Sequence, residues 1–302
     1  MQFSENDDLI DIRYDSVFKA VFTKNTPESQ GALSKLVSTL IKREVSIVVI
    51  TANEPPVENL RDRQIRFDIV CKAESGELIN VEMCFNPKPS EPVRLEFHAS
   101  KLFIGQDIKG KDKDFKDLKE SYQIAILAKK RFFADDVVFH TFEYYDPEHN
   151  ISLNGRSRII TVELSKLNSI VDKPVNEMSP AEHWAIFFEY LTDKAKREKI
   201  NQIIECQEGI AMASEALVTI TKDEIEFYRQ MSKEKYELDM HCDMVYERRQ
   251  AREEGREEGR EEGRQEGKKE GKEEGRQEEK QEVISLLKSG KSLEDIIREY
   301  DK

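Results

Sequence analysis

Two short segments of alternating polarity, separated by a three-residue loop, constrain the fold of this chain more than any other feature. In residues 64–72 (QIRFDIVCK) every second residue is apolar, and a similar alternation returns in residues 77–85 (ELINVEMCF). A period of two is the pattern of a β-strand with one face in a core. The loop between them ends in Gly76, and the last residue of such loops commonly adopts the left-handed conformation that glycine favours. The sequence therefore predicts a β-hairpin that turns at Gly76.

The predicted turn fixes which residues of the two strands lie opposite each other. Counting outward from the loop sets Asp68 opposite Glu82, and the same count sets Arg66 opposite Cys84. Directly opposed Cβ atoms lie about 4.5–5.5 Å apart, so the two carboxylates would repel each other. A divalent cation would relieve this repulsion, and oxygen ligands suit Mg²⁺ or Mn²⁺. The alternative, two charges on the solvent face of an edge hairpin, stays open on this pattern alone.

The segments around the hairpin add helices and further strands. Helical spacing of apolar residues predicts helices over residues 15–24, 30–42 and 92–108. Apolar or alternating runs predict strands over residues 45–51, 121–128, 137–145 and 157–163. From about residue 166 the signal is helical. This order predicts an α/β fold, in which a mixed sheet is flanked by helices and followed by a helical region.

A four-residue repeat, REEG or a close variant, fills residues 252–276 and places glycine at every fourth position. Each glycine costs a helix about 1 kcal/mol relative to alanine, and a Glu–Arg pair three residues apart returns only about 0.2–0.5 kcal/mol. Taken alone, the repeat is marginal as a helix, and two interpretations remain: a solvated spacer, or a self-association or partner-binding arm. We predict the following domain bounds: 1–165, an α/β domain; 166–246, a helical region; 247–282, the charged Gly-repeat tail; 283–302, a short helical segment.

Charge and cysteine content bear on partners and compartment. The formal net charge is −13, so the chain lacks the overall basic footprint of many DNA-binding proteins. Local basic clusters, each interpretable as solvated surface, lie at Arg61, Arg63 and Arg66, at Lys109, Lys111 and Lys113, and at Lys129, Lys130 and Arg131. The four cysteines form no Cys-x-x-Cys pair, which argues against structural zinc and fits a reducing compartment. Without a signal-peptide pattern or a run of about 18 apolar residues, we expect a cytoplasmic protein with no membrane contact.

Several segments together resemble the recombination-promoting nuclease family, whose members are also described as transposases of the PD-(D/E)XK nuclease superfamily. These segments are DSVFKAVF (15–22), RQIRFDIV (63–70), GELINVEMCF (76–85), SYQIAILAK (121–129) and the EEGREEGR tail. The resemblance implies a Mg²⁺-dependent DNA endonuclease on a restriction-endonuclease-like core, linked to recombination or mobile elements. Carried onto this chain, Asp68 and Glu82 resemble the metal-binding acids. Asp15 resembles the acidic residue of the first helix.

One position departs from the superfamily pattern, which places lysine two residues after the second acid, where this family commonly has glutamine. That position is Cys84 here, and a neutral thiol supplies no positive charge and is a poor ligand for hard cations. Either the site is impaired, leaving a DNA- or protein-binding module that forms homo-oligomers through the helical region or tail, or another cation fills the gap. The register makes Arg66 the first choice for that cation, and Lys19 and Lys88 are weaker choices.

Overall fold

The computed structural model describes residues 2–50, 67–106 and 114–292, with the backbone alone at residues 225, 227–243 and 246–247. The helices are α1 (Asp15–Thr23), α2 (Pro27–Ile41), α3 (Glu91–Ile104), α4 (Pro180–Tyr190), α5 (Arg197–Cys206), α6 (Glu208–Val218) and α7 (Lys222–Lys288). The strands are β1 (Ile47–Ile50), β2 (Ile69–Ala73), β3 (Leu78–Cys84), β4 (Ser121–Leu127), β5 (Phe139–Phe142), β6 (Tyr145–Asp146), β7 (Ile151–Ser152) and β8 (Ser157–Glu163). Contacts divide the chain into two units, Met1–Lys235 and Tyr236–Lys302.

Six strands form one mixed sheet in the order β1-β2-β3-β4-β8-β5. Strands β1, β2 and β3 run antiparallel in succession, β3, β4 and β8 run parallel, and β5 returns antiparallel to β8. The predicted mixed sheet flanked by helices is therefore confirmed. The strand predicted over residues 137–145 is interrupted, because β5 ends at Phe142 and Tyr145 pairs instead in the small β6–β7 sheet.

The hairpin has the predicted register. Ile69 pairs with Val81 and Cys71 with Ile79, so one further step outward sets Asp68 opposite Glu82. Gly76 has φ of 99°, and its amide donates to the carbonyl of Ala73 at 2.9 Å. The left-handed conformation is one that a residue with a Cβ adopts only with strain. The glycine turn thus fixes the facing of the two acids.

The two faces of the sheet are covered by different helices. One face carries Ile79, Val81 and Met83, which join the main core with residues of α1, α2 and α4 to α6. That core holds a cluster of aromatic rings, in which Trp184 stacks on Phe188 and Phe22 packs against both, and burying a side chain such as Phe contributes about 1.5–3 kcal/mol. The opposite face is covered by α3, which packs Leu95 on Ala125 and Leu127 and Leu102 on Phe67 and Val70. Helix α3 therefore lies over the strands that carry the acids.

Local sequence explains where the flanking helices begin. The Thr26 hydroxyl accepts the amide of Ser29 at 3.3 Å, and Pro27 occupies the first turn of α2. Ser179 and Glu182 form a reciprocal capping box at the start of α4. Such caps satisfy amides that the first turn of a helix leaves without partners, and each contributes about 1 kcal/mol. The sequence thus fixes where α2 and α4 begin.

Helix α7 runs without interruption through the four-residue repeat. A Cβ added at any of its repeat glycines would meet no atom within 4 Å. The helix ends at Lys288, shortly before Gly290, whose φ of 90° is typical of a residue that terminates a helix. None of the helices in the described parts of the chain combines the length and the apolar character needed to cross a bilayer. The domain bounds and the role of the repeat stay predictions.

Candidate metal centre

The candidate site lies where the open end of the hairpin meets α1 and α3. Asp68 directly precedes β2, Glu82 lies within β3, and both side chains are 0% exposed. Cys84, at the end of β3, is partly exposed. A carboxylate removed from water is costly unless it is ion-paired and hydrogen-bonded. The partners of these two acids therefore define the chemistry of the site.

Asp68 is held by α1 and by the neighbouring strand. The Lys19 ammonium lies 3.3 Å from Asp68 Oδ1 and 3.1 Å from Asp15 Oδ2. Residues four apart share one face of a helix, so α1 presents Asp15 and Lys19 together. The amide of Met83 donates to Asp68 Oδ2 at 3.3 Å. Asp15 and Asp68 thus share one positive charge, in a position where acids alone would repel each other.

Glu82 is held by side chains of its own strand and of α3. His98 Nδ1 lies 2.7 Å from Glu82 Oε1 and Asn80 Nδ2 donates to the same oxygen at 3.1 Å. Arg94 Nη2 lies 3.0 Å from Glu82 Oε2. Alternation places Asn80 and Glu82 on one face of β3, and the four-residue spacing of Arg94 and His98 places both on one face of α3.

Arg94 also reaches the position at which the family pattern is broken. Its Nη2 lies 3.2 Å from Cys84 Sγ, and its Nε donates to Glu91 Oε1 at 2.9 Å. Burial would lower the pKa of Arg94, but the charges of Glu82 and Glu91 outweigh it and raise that pKa. A permanent positive charge therefore lies where the thiol provides none.

Two groups of possible metal ligands occur among the described residues, with ligand atoms within 4.8 Å of one another. One group is Glu82, Cys84 and Glu91; the other is Asp135, His140 and Glu163. The Arg94 guanidinium contacts all three members of the first group. The Lys166 ammonium fills the second, 2.9 Å from Asp135 Oδ1 and 2.5 Å from Glu163 Oε1.

The carboxylates of the candidate site are suitable ligands for a hard divalent cation, whereas its thiol is not. Carboxylate oxygens are the ligands that Mg²⁺ and Mn²⁺ prefer, and Asp15, Asp68 and Glu82 supply them at one end of the hairpin. The Cys84 thiol is a soft ligand and suits neither ion. The oxygen chemistry of the three predicted ligands therefore suits such an ion, that of Cys84 does not, and the ligand set stays a prediction.

The predicted site residues form two pairs, each joined by one cation, and one predicted residue lies outside the described part of the chain. Lys19 connects Asp15 with Asp68, whereas Arg94 connects Glu82 with Cys84. Arg66 lies outside the described residues, so its predicted place opposite Cys84 stays a prediction. Neither the hairpin pattern nor the resemblance indicated the site contacts of Glu91, Arg94 and His98. The signal that could have found them is the spacing 91, 94 and 98, which places all three on one face of the helix after the hairpin.

This arrangement first defines a class: a six-stranded mixed sheet between helices, with two buried acids on opposed positions of a hairpin, fits an α/β nuclease-like fold. A family model described as PD-(D/E)XK nuclease family transposase matches residues 12–247. The chain belongs to this family, which confirms the resemblance found in the sequence and gives a nuclease or transposase-like role with DNA as the substrate. Nucleases of this kind generally use divalent metals. No curated protein and no solved structure matches the chain.

Proposed function

We propose that this protein is a metal-dependent DNA endonuclease that hydrolyses phosphodiester bonds, linked to recombination or mobile elements. The observation that carries the proposal is the pair of fully buried carboxylates, Asp68 and Glu82, which the Gly76 turn sets on opposed positions of neighbouring strands. Burying two acids side by side stabilises nothing by itself. Such a pair is expected where a protein must hold a cation.

Asp68 and Glu82 would hold Mg²⁺ or Mn²⁺, with Asp15 as a further oxygen ligand. When bound, the ion polarises a phosphoryl oxygen and lowers the pKa of a bound water. Lys19 compensates the charge of Asp15 and Asp68 and so keeps these acids close together. His98 and Asn80 fix the orientation of the Glu82 carboxylate through Oε1.

Arg94 would replace the lysine that the superfamily carries two residues after the second acid. Its guanidinium contacts Glu82 and lies beside the Cys84 sulfur, so its charge is available at the missing position. A guanidinium stays protonated and can hold a phosphate through two hydrogen bonds, but it cannot serve as a general base. Arg94 therefore acts as an electrostatic group, and Arg66 stays a second candidate for the same charge.

The alternative is a catalytically impaired member that acts as an oligomeric DNA- or protein-binding module. It is favoured by the charge balance of the site, because Lys19 and Arg94 already compensate the buried acids within the chain. We propose the helical region or the repeat of α7 as the surface through which copies of the chain would associate. This alternative predicts a stable oligomer or partner complex and no cleavage with any metal.

We place the protein in the cytoplasm. Among the cysteines whose side chains are described, Cys71 and Cys206 are free thiols. Burial raises the pKa of Cys71 to about 12, so this thiol stays protonated and inert. Free thiols of this kind fit a reducing compartment.

The test is nicking or linearisation of supercoiled DNA by the full chain with Mg²⁺ or Mn²⁺. We expect the wild type to cut, and Asp68→Ala or Glu82→Ala to reduce cutting to the background of the assay. Asp172→Ala is the matched control, because this acid is exposed and its carboxylate lies 3.6 Å from the ammonium of the surface residue Lys196. Cleavage by Cys84→Lys but not by the wild type would establish the impaired alternative. Equal cleavage by the wild type and Glu82→Ala would refute the metal site.

A further inference from the structure

An aromatic pair adjoins the candidate site. Tyr14 directly precedes Asp15, Phe85 directly follows Cys84, and their ring centroids lie 5.0 Å apart with planes tilted by 34°. Tyr14 is 51% exposed. One ring thus rests on the other at the surface, next to Asp15 of one pair of site residues and Cys84 of the other.

The Tyr14 ring has no part in starting the helix that follows it. The carbonyl of Tyr14 accepts the amides of Val17 and Phe18 at 2.9 Å each, and the side chain makes no capping hydrogen bond. These contacts use only the backbone, so any residue with the same extended conformation would provide them. The position of the ring needs another explanation.

A lysine completes this surface because β3 and β4 keep pairing beyond their ends. The amide of Ala128 donates to the carbonyl of Cys84 at 2.9 Å, and the amide of Lys129 donates to that of Phe85 at 3.0 Å. The Lys129 ammonium consequently lies 4.3 Å from the centroid of the Phe85 ring. A cation at this distance from a ring face is attracted to it.

The charges around these rings favour an anion. Lys129 and Lys130 are exposed and follow directly on β4. The nearby Arg13 is compensated by Glu189, 2.7 Å away, and by Asp11, 2.9 Å away. Glu189 also lies in the field of Lys129. Three cations (Arg13, Lys129 and Lys130) thus meet two carboxylates (Asp11 and Glu189), which leaves one positive charge in excess at this edge of the site.

We propose that Tyr14, Phe85 and Lys129, together called the aromatic platform, bind an unpaired nucleobase and its phosphate next to the acids. A protein ring can stack only on a base whose face is exposed, and bases inside a duplex present only their edges. The preferred ligand is therefore DNA with a single-stranded segment, such as a flap, a gap or a displaced strand. The inference rests on the proposed function for its link to cleavage, whereas the binding itself needs no catalysis.

The experiment measures fluorescence anisotropy of the full chain, in Ca²⁺ at fixed salt, on a single-stranded oligonucleotide and on the blunt duplex of the same sequence. We expect the wild type to bind the single strand more tightly. Tyr14→Ala should weaken single-strand binding about 5- to 150-fold, the usual cost of losing one stacked base, and should leave duplex binding unchanged. Tyr14→Phe, which keeps a stacking face, should retain wild-type affinity.

The salt dependence separates the charge from the ring. Lys129→Ala should weaken binding to both ligands and reduce the slope of log affinity against log salt by about 0.7–0.9, the value for one phosphate contact. The platform would be overturned if Tyr14→Ala bound the single strand as tightly as the wild type. It would also be overturned if Tyr14→Ala lost as much affinity for the duplex as for the single strand. A wild type that never cleaves but shows the Tyr14 discrimination would overturn the nuclease proposal and leave the platform standing.

Discussion

Glu82 and Glu163 are both fully buried glutamates on parallel strands that flank β4, yet they are held by different kinds of partner. Glu163 Oε2 accepts the backbone amides of Phe132 at 2.5 Å and Phe133 at 3.3 Å, and Glu163 Oε1 contacts Lys166. These amides belong to the loop after β4 and cannot turn away without unfolding it. Glu163 is therefore part of the structure of that loop.

The partners of Glu82 are side chains that can rotate. Arg94 and His98 approach from α3, and Asn80 approaches from the same strand. Arg94 has a second carboxylate, Glu91, within reach. It can therefore release Glu82 without leaving its own charge unpaired. A buried acid is therefore available to a cation when its present partners are side chains that have another ion-pair partner within reach.

The largest expected effect tests whether Glu163 contributes more to the stability of the fold than Glu82 does. Glu163→Ala should lower the free energy of unfolding by about 3–5 kcal/mol, because it removes the acceptor of the Phe132 and Phe133 amides together with the closest partner of the buried Lys166 ammonium. Glu82→Ala should cost less, because Arg94 keeps Glu91. Chemical denaturation followed by the fluorescence of Trp184, the one tryptophan of the chain, measures both. A larger loss in Glu82→Ala would reverse the assignment of the two acids.

The next effect tests whether Arg94, the partner of Glu82, contributes to the rate of cleavage. Arg94→Ala should slow cleavage about 10²–10³-fold, the usual cost of removing one electrostatic group from a transition state. Arg94→Lys should recover part of the rate, because it restores the charge without the planar fork. Lys101→Ala is the matched control, a cation on the same helix that lies over Phe97. If Arg94→Ala cleaves like the wild type, the missing charge is supplied elsewhere and Arg66→Ala becomes the deciding variant.

The facing of the two acids was predictable because it depends only on local rules. A three-residue loop that ends in Gly76 and two alternating strands fix the register of Asp68 and Glu82, whatever the rest of the chain does. The mixed sheet followed from the order of segments in the same way. These features need no knowledge of distant contacts.

The contacts of α3 could not be predicted in this way. Which face of a helix meets a sheet depends on how its apolar side chains pack, here Leu95 and Leu102 on the strands. Arg94 and His98 share that face only as a consequence, and in the sequence they resemble ordinary surface residues. The interruption between β5 and β6 likewise reflects pairing with β7, which the alternation of residues 137–145 does not reveal.

The smallest expected effect concerns Asp135, which shares the Lys166 ammonium with Glu163. The hydrogen bond from Lys166, followed by those from His140 and the amide of Val137, lowers the pKa of Asp135 from 3.8 to about 2. A carboxyl group whose pKa is lower in the folded state stabilises that state above its unfolded pKa. This contribution is lost as the pH falls from about 4 through about 2.

Asp135→Asn should therefore flatten the fall in stability between pH 4 and pH 2 and have a smaller effect at neutral pH than Glu163→Ala. The measurement is a series of denaturation curves of Trp184 fluorescence at decreasing pH, for the wild type and Asp135→Asn. Asp172→Asn, an exposed acid far along the chain, corrects for the general effect of removing one carboxylate. Parallel curves for the wild type and Asp135→Asn would show that Lys166 depends on Glu163 alone. In that case the cluster around Lys166 would be a single ion pair, and Asp135 an ordinary surface residue beside it.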